Sequence, residues 1–263
     1  MTMTDAAAEA GIVASCRALH LPTIRAEAPR MADDAARARL THRAYLAEVL
    51  SAEVDERDAR RRVRRVVEAR FPRMKRLGDF DHSVAPSVSP ATIAALAGGA
   101  FIDAGEPVVL LGDSGTGKTH LLIGLGVAAC EAGRRVRYVT TAALVNELAE
   151  AADDKVLSKV IGRYGRLDLL CLDELGYLTL DPRGAELLFQ VITEREERAS
   201  LAVASNAPFS EWGSTFADPR LAAAVVDRIT FRAHIIETGT DSYRLRASRG
   251  AKTKRSEPTT KGR

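Results

Sequence analysis

A glycine-rich run between two apolar stretches carries the clearest chemical signal in this sequence. The run follows Val108-Val-Leu-Leu111, precedes Leu121-Leu-Ile-Gly-Leu125 and reads Gly112-Asp113-Ser114-Gly115-Thr116-Gly117-Lys118-Thr119-His120. Its glycines let backbone amides point at a polyphosphate, the Lys118 ammonium can reach the β and γ phosphates, and the Thr119 hydroxyl can hold Mg²⁺. A strand before the run and a helix after it are the context that this pattern requires. We therefore assign the run to binding of a nucleoside triphosphate with Mg²⁺.

Two adjacent acids follow an apolar run later in the chain. Asp173 and Glu174 come directly after Leu167-Asp-Leu-Leu-Cys-Leu172, and Asp173 lies 55 residues after Lys118. Asp173 can hold Mg²⁺ through its water shell, and Glu174 can orient or deprotonate an attacking water. A solvated strand end is the alternative, but the spacing from the glycine-rich run favours hydrolysis of the triphosphate.

A polar residue ends the next apolar run. Asn206 follows Ser200-Leu-Ala-Val-Ala-Ser205, and in a parallel sheet it would lie beside the two acids. Its amide could hydrogen-bond the attacking water or the γ-phosphate. Asn is also common in the turns that follow strands, so spacing alone leaves both interpretations open.

The order of strands and helices predicts how these residues are positioned. Alternation of the two over residues 91–238 predicts an α/β fold with a parallel sheet covered on both faces. We expect strands at 107–112, 136–140, 167–173, 200–205 and 232–237, and helices at 118–132, 142–152, 184–198 and 219–228. Right-handed crossovers then place the loops after the strands at one edge, where the nucleotide should bind.

The first part of the chain is predicted to be helical and cationic. Apolar residues recur at helical spacing over 40–47 and 63–71, which predicts two helices, the second packing through its valines. Residues 57–76 contain ten lysines or arginines and two acids. Guanidinium groups suit phosphates, so we predict nucleic-acid contact, with a merely solvated helix as the alternative. The predicted contact residues are Arg57, Arg60, Arg61, Arg64 and Arg65.

Composition sets wider limits on the class of protein. The 263 residues are 46% apolar and 28% charged with a net charge of +3, as expected for one large globular domain, alone or with an appendage. The sequence shows neither a secretory leader nor a run of about eighteen apolar residues, so we expect a cytoplasmic protein with no membrane segment. Cys16, Cys130 and Cys171 lack metal-ligand spacing and fit a reducing compartment.

These patterns divide the chain into four parts. Residues 1–77 form the predicted arginine-rich helical domain, and residues 78–90, with Pro86 and Pro90, form a linker. Residues 91–246 form the predicted ATPase domain. Residues 247–263 belong to a basic end without apolar periodicity, which we expect to be a disordered tail.

Several motifs together resemble the IstB family, the helper ATPases of insertion-sequence transposition. The resemblance covers nearly the whole chain and rests on the glycine-rich run and on Asp173-Glu-Leu-Gly-Tyr177, Ser205-Asn-Ala-Pro-Phe-Ser-Glu-Trp212, Asp227-Arg228 and Ser242-Tyr-Arg244. It implies a P-loop AAA+ domain of the clade that includes the DnaC helicase loaders and the initiator ATPases. Such a domain has a parallel five-stranded sheet flanked by helices, here preceded by a small α-helical domain.

The resemblance also implies residue roles. Lys118 and Thr119 bind phosphate and metal, Asp173 and Glu174 serve metal and water, and Asn206 resembles the sensor that reads the γ-phosphate.

An arginine finger is implied as well. Arg228 resembles this residue, whose guanidinium offsets charge that develops in the transition state. Arg228 could instead pair with Asp227, and Arg220 and Arg232 compete for the role. After the last predicted strand too few residues remain for a full C-terminal lid, whose sensor arginine could be partly replaced by Arg244 or Arg246.

The function implied by the resemblance is ATP-dependent help to a transposase. Such a protein assembles as a homo-oligomer, in a ring or a helical assembly, on duplex DNA and recruits or stimulates its cognate transposase. A replicative helicase loader that uses ATP as a switch is the alternative. A small-molecule kinase is disfavoured because the sequence shows no acceptor-binding lid.

Overall fold

The computed structural model describes residues 4–240, apart from the side chain of Val84. The predicted tail, Ser242-Tyr-Arg244 and Arg246 lie outside the described residues. The chain divides into two compact units, one ending at Arg64 and one beginning at Arg65. This division falls inside a helix, whereas the sequence-based boundary was placed at residue 77.

Helices and strands follow one another in the order expected of an α/β chain. The helices before the sheet are α1 (Asp5–Ala18), α2 (Pro22–Arg37), α3 (His42–Ala69), α4 (Pro90–Ala97) and α5 (Ala100–Asp103). The strands are β1 (Val108–Leu111), β2 (Val136–Thr140), β3 (Leu169–Leu175), β4 (Ser200–Ser205) and β5 (His234–Glu237). The remaining helices are α6 (Lys118–Glu131), α7 (Thr141–Asp153), α8 (Leu157–Gly165), α9 (Pro182–Arg195), α10 (Trp212–Thr215) and α11 (Pro219–Thr230). A 3₁₀ turn at Leu77–Asp79 overlaps the start of the predicted linker, and a second lies within it at His82–Val84.

The five strands form one parallel sheet in the order β2-β3-β4-β1-β5. This confirms the predicted fold class. Leu110 of β1 lies opposite Ala204 of β4, and Thr140 of β2 lies opposite Asp173 of β3. Because all strands run the same way, the segments that follow β1, β3 and β4 meet at one edge of the sheet.

Side chains alternate along the strands and build a core on each face of the sheet. In β3, Leu169 and Cys171 join one cluster with residues of α4 and α6. Leu170 and Leu172 join the other cluster with residues of α7, α8, α9 and α11. Both faces are covered, which explains why the strands read as continuous apolar runs.

In the first unit, a buried carboxylate ties α3 to the start of α2. Glu53 is 3% exposed, and its Oε2 accepts hydrogen bonds from the backbone N–H groups of Thr23 (2.8 Å) and Ile24 (3.1 Å). The first amides of a helix have no partner within the helix, so this carboxylate caps α2. Burial alone would raise the pKa of Glu53, but the two amide bonds and the neighbouring Arg57 charge outweigh it and lower the pKa.

Helix α3 corrects the sequence-based picture of residues 40–71. One helix runs from His42 to Ala69 instead of two, because none of its 28 residues is Gly or Pro. Val63 and Val67 are 66% and 71% exposed, so the predicted packing is wrong for these two valines. The third predicted valine, Val66, does pack against the core of the second unit, together with Ala69.

Smaller differences concern α8 and the end of β3. The sequence-based assignment missed α8, whose Leu157, Val160, Ile161 and Tyr164 follow helical spacing and pack in the second core cluster. Strand β3 continues to Leu175, two residues beyond its predicted end at residue 173, because its pairing with β4 resumes at Leu175 after a bulge.

Within residues 4–240, no helix is both long enough and apolar enough to span a bilayer.

Cys16, Cys130 and Cys171 are buried free thiols, and burial raises the pKa of Cys130 to about 12. A thiol with so high a pKa is a poor nucleophile at neutral pH.

Candidate functional site

The glycine-rich run forms a tight loop between β1 and α6. Gly112, Gly115 and Gly117 have φ angles of +146°, +88° and +99°, a region that residues with a Cβ rarely adopt. A Cβ on Gly112 would stand 2.4 Å from Thr238 Oγ1 and 2.7 Å from Gly239 O. Glycine is therefore needed at position 112 both for the backbone conformation and for the close approach of the chain after β5.

Hydrogen bonds fasten this loop to the end of β5. Asp113 N donates to Gly239 O at 3.1 Å, and Thr116 Oγ1 lies 2.5 Å from Thr238 Oγ1. Thr116 is 2% exposed, whereas Asp113 and Ser114 are exposed. The Thr116 side chain therefore holds the loop in shape and leaves phosphate contact to the backbone amides.

Lys118 and Thr119 begin α6, directly after the loop. Lys118 is 9% exposed, and its Nζ donates to Gly112 O at 2.6 Å and to Asp113 O at 2.7 Å. These bonds hold the ammonium over the loop. The first amides of α6 lack helical partners and carry the positive end of the helix dipole, so this helix start favours a phosphate group.

A cavity of about 270 Å³ adjoins the loop and α6. It is lined by Gly115–His120 and by residues of the segment 73–81, including Arg73 and Lys75. His120 Nε2 donates to Arg76 O at 2.9 Å and so ties this segment to α6. Among residues 4–240, Arg73 and Lys75 form no ion pair. Neither residue was predicted to lie at the nucleotide site, because the sequence marked them only as members of the cationic segment 57–76.

The two acids lie in the last part of β3 in different surroundings. Asp173 is 3% exposed; its Oδ2 accepts from Tyr138 OH at 2.7 Å, and its Oδ1 accepts from Glu174 N at 2.9 Å. Glu174 is exposed and has a φ of +61°, because the pairing of β3 with β4 shifts register between Leu172 and Leu175. Such a bulge redirects a side chain. Burial, followed by the bond to Asp173, raises the pKa of Tyr138, so this hydroxyl is a hydrogen-bond donor at neutral pH.

Asn206 follows β4 at the same edge of the sheet. Because β4 lies between β3 and β1, Asn206 comes between the acids and the glycine-rich loop. Its Oδ1 is buried and has no hydrogen-bond partner among the described residues. Buried acceptors are rarely left unpaired, so this atom suits a water or another donor that enters with the nucleotide.

Arg228 lies at the opposite end of the sheet. It lines a second cavity with Pro107, which directly precedes β1, and with Arg232. Its Nε lies 2.9 Å from Glu196 Oε2 rather than pairing with Asp227, and its guanidinium stacks over the Phe189 ring at 4.5 Å. Within one chain, the structure does not bring Arg228 to the glycine-rich loop.

Among the predicted nucleic-acid arginines, Arg57, Arg60 and Arg61 have partners inside the first unit. Arg57 Nη2 donates to His20 O at 2.8 Å, and Arg60 Nη2 donates to Thr23 Oγ1 at 3.0 Å. The Arg61 side chain is 58% exposed and lies 3.3 Å from an exposed aspartate on the same helix. The division between the two units falls between the remaining two, Arg64 and Arg65.

The donor set suits a Mg²⁺ ion that arrives with a nucleotide. Across the part of the chain that the structure describes, no three His, Cys, Asp or Glu side chains gather into a metal cluster. Thr119 and Asp173 offer a hydroxyl and a carboxylate, and Mg²⁺ characteristically combines one or two such oxygens with waters and substrate phosphates. The residues present therefore fit a nucleotide-borne Mg²⁺.

A parallel sheet with a glycine-rich loop between β1 and α6, and with an acidic pair at the end of β3, defines a P-loop nucleotide-binding domain. More particularly, the chain belongs to the family described as IstB-like ATP binding protein, whose model matches residues 14–251. This confirms the resemblance found in the sequence.

Relatives in the family are named for insertion sequences and for ATP binding. One from Sinorhizobium fredii (strain NBRC 101917 / NGR234) is 37% identical over 241 residues, which are 91% of this chain and 81% of the relative. Another from Geobacillus stearothermophilus, named for insertion sequence IS5376, is 36% identical over 234 residues, 89% of this chain and 93% of the relative. Both relatives are covered over more than four fifths of their length, which supports the membership of this chain in the same family.

Solved structures share the fold. The replication initiator DnaA, bound to AMPPCP and single-stranded DNA, matches with a TM-score of 0.51 and 21% identity over 70% of this chain and 56% of the DnaA chain. AMPPCP-bound DnaA from Aquifex aeolicus matches with a TM-score of 0.50 and 22% identity over 70% of this chain and 57% of that chain. At this level of identity the match shows a common fold.

Proposed function

We propose that this chain is an ATPase that hydrolyses ATP to ADP and phosphate with Mg²⁺. The observation that carries the proposal is that the glycine-rich loop, the buried Asp173 and the redirected Glu174 lie at one edge of the sheet. The loop amides and Lys118 hold the phosphates, while Thr119 and Asp173 hold Mg²⁺ directly or through water. When bound, Mg²⁺ neutralises charge on the phosphates.

Activation of water falls to Glu174. Its carboxylate projects from the bulge of β3 next to the buried Asp173, where it can orient a water and accept its proton. Asn206 supplies a second contact, since its unpaired Oδ1 can accept a hydrogen bond from the same water. These roles favour hydrolysis over nucleotide binding alone.

Hydrolysis is coupled to assembly through Arg228. Because Arg228 lies at the end of the sheet opposite its own glycine-rich loop, it can act only on nucleotide held by a neighbouring copy. A ring or helical homo-oligomer provides that neighbour. The guanidinium then offsets charge on the γ-phosphate, and the rate depends on assembly.

The assembly acts on duplex DNA and serves a cognate transposase in the cytoplasm. Support comes from the arginine-rich α3 and from the insertion-sequence names of the relatives. Guanidinium contacts to phosphates position a protein on DNA without reading its sequence. Binding should therefore be largely independent of sequence and steeply dependent on salt.

The test is the affinity for labelled duplex and single-stranded DNA at one salt concentration, with and without a non-hydrolysable ATP analogue. We expect duplex binding that requires nucleotide in the wild type and is lost in Lys118→Ala. Glu174→Gln is the matched control, because it keeps the glycine-rich loop and should retain nucleotide-dependent duplex binding. A preference for single strands, or no DNA binding, contradicts the proposal and favours a helicase loader, which a helicase pull-down would then identify.

A further inference from the structure

Tyr138 contacts the predicted magnesium ligand from the neighbouring strand. In the parallel pairing of β2 with β3, Tyr138 lies opposite Cys171, so its side chain and that of Asp173 share one face of the sheet. Its hydroxyl donates to Asp173 Oδ2 at 2.7 Å in a buried setting. No pattern in the sequence marks Tyr138 as part of the site, because the contact arises only when the two strands pair.

Two donors together fix the orientation of the Asp173 carboxylate. Tyr138 OH takes one oxygen, and the backbone N–H of Glu174 takes the other at 2.9 Å. Each carboxylate oxygen has two acceptor positions, so each keeps one for a water of the Mg²⁺ shell. Hydrogen bonds to a charged carboxylate are stronger than those between neutral groups, which keeps this side chain from rotating.

The Tyr138 ring is itself held in place. The Phe71 ring packs against it with centroids 6.2 Å apart and planes at 58°. Phe71 in turn lies so close to Gly126 of α6 that an added Cβ there would stand 2.8 Å from its ring. The hydroxyl therefore has a defined position relative to Asp173.

We infer that Tyr138 is a positioning residue: its hydroxyl holds Asp173 in the orientation that a nucleotide-bound Mg²⁺ requires. The inference rests on the proposed ATPase function. It concerns how the metal is held, since Tyr138 acts through Asp173.

The test replaces the hydroxyl alone, with Tyr138→Phe. Tyr164→Phe is the matched control, because Tyr164 is 1% exposed and its hydroxyl donates to Glu147 Oε2 at 2.5 Å between α7 and α8, outside the nucleotide-binding residues. Both variants lose a buried bond from tyrosine to a carboxylate in the same unit. The readout is the affinity for a fluorescent, non-hydrolysable ATP analogue as Mg²⁺ is titrated, and in EDTA.

We expect Tyr138→Phe to need about ten-fold more Mg²⁺ for half-maximal binding, the lower end of the effect typical for groups that orient metal ligands. Its affinity in EDTA should equal that of the wild type, and Tyr164→Phe should titrate as the wild type does. A Tyr138→Phe titration that overlays the wild type would overturn the inference. So would an equal loss of affinity with and without Mg²⁺, which indicates a structural role only.

Failure of the proposed function gives a different result in the same assay. Lys118→Ala should abolish binding of the analogue, and Mg²⁺ should tighten binding to the wild type. If the wild type binds no nucleotide, or binds it without any effect of Mg²⁺, the proposed function and this inference both fail. If these two controls behave as expected and Tyr138→Phe matches the wild type, only the inference about Tyr138 is wrong.

Discussion

Glu174 combines an exposed carboxylate with a strained backbone. Its φ of +61° belongs to the left-handed region, and it lies in a bulge beside the buried Asp173. Strain of this kind persists where the surrounding structure enforces it and is concentrated at functional sites. The carboxylate and the backbone conformation can be tested separately.

The carboxylate is tested by Glu174→Gln, which keeps size and hydrogen bonding but cannot accept the proton of water. We expect the hydrolysis rate to fall by about 10²- to 10⁴-fold, the usual contribution of a general base. Affinity for ATP should remain close to that of the wild type. Steady-state phosphate release and equilibrium binding check this, and a rate within a few-fold of the wild type would exclude Glu174 as the base.

The backbone is tested by comparing Glu174→Gly with Glu174→Ala. A left-handed conformation costs residues with a Cβ about 1–2 kcal/mol, while the greater unfolded-state entropy of glycine offsets part of this. The glycine variant should therefore be the more stable by about 1 kcal/mol in chemical unfolding. In the same pair at the exposed Glu186, inside α9, alanine should be favoured by about 1 kcal/mol. If the alanine variant is the more stable one at both positions, the backbone of Glu174 is not strained.

The sequence predicted those residues of the candidate site that stand in a local motif. Lys118, Thr119 and Asp173 stand in local patterns whose strand and helix context could be read directly. Tyr138 and Lys75 could not be found this way. The first reaches Asp173 only through lateral pairing of β2 with β3, and the second lines the cavity only because the segment after α3 runs beside α6.

The segment from Phe71 to Phe80 packs against glycines of the loop and α6. An added Cβ would stand 2.8 Å from Phe71 at Gly126, 2.6 Å from Leu77 at Gly124 and 2.7 Å from Phe80 at Gly117. A side chain at any of these glycines would push the segment away from the nucleotide loop.

Gly124→Ala tests this close packing. Alanine favours a helix over glycine by about 1 kcal/mol, but the added Cβ would also lie 3.2 Å from the backbone N of Leu77. Overpacking costs about 1–3 kcal/mol, so we expect net destabilisation in chemical unfolding. Gly162→Ala in α8, where the nearest atom is 3.8 Å away at the end of an arginine side chain, should be neutral or stabilising. If the two substitutions change the free energy of unfolding equally, the segment from Phe71 to Phe80 can move to accommodate the added methyl group at little cost.

At the scale of whole elements, apolar runs predicted the five strands of the sheet to within two residues at each end. Burial on both faces makes such strands continuous and easy to read. The sequence-based predictions are wrong where the local sequence does not show which side chains are buried or how the strands pair. Val63 and Val67 have helical spacing and yet are exposed, and the bulge that extends β3 depends on its pairing with β4.

At the scale of the whole molecule, α3 is the proposed DNA-contacting element. Arg61 and Arg65 are the informative positions, because removing Arg57 would leave the buried Glu53 without its nearest cation. If both residues contact phosphates, Arg61→Ala with Arg65→Ala should reduce the slope of log affinity against log salt by about 1.8. The control removes two exposed arginines from α2, with Arg30→Ala and Arg37→Ala. An equal change of slope in the control would mean that net charge, not α3, drives binding.

The proposed role of Arg228 depends on assembly of several copies, because the nucleotide on which it acts is bound by another copy. Arg228→Ala should lower the hydrolysis rate by about 10³-fold or more, as expected for an arginine finger. Lys118→Ala should be inactive because its own nucleotide is not held. When the two variants assemble together, the intact glycine-rich loop of an Arg228→Ala subunit can adjoin the intact Arg228 of a Lys118→Ala subunit. Random assembly of equal amounts should then restore about a quarter of the wild-type rate.

Arg232→Ala is the matched control, since Arg232 lines the same cavity and lies 3.1 Å from Glu106. It should hydrolyse ATP as the wild type does. If Arg232→Ala is inactive and is rescued by Lys118→Ala, the finger is Arg232 rather than Arg228. If no mixture regains activity although the variants co-assemble, the hypothesis that an arginine acts on the nucleotide of a neighbouring copy is wrong. An arginine with that role could be supplied by a Lys118→Ala subunit, which binds no nucleotide of its own.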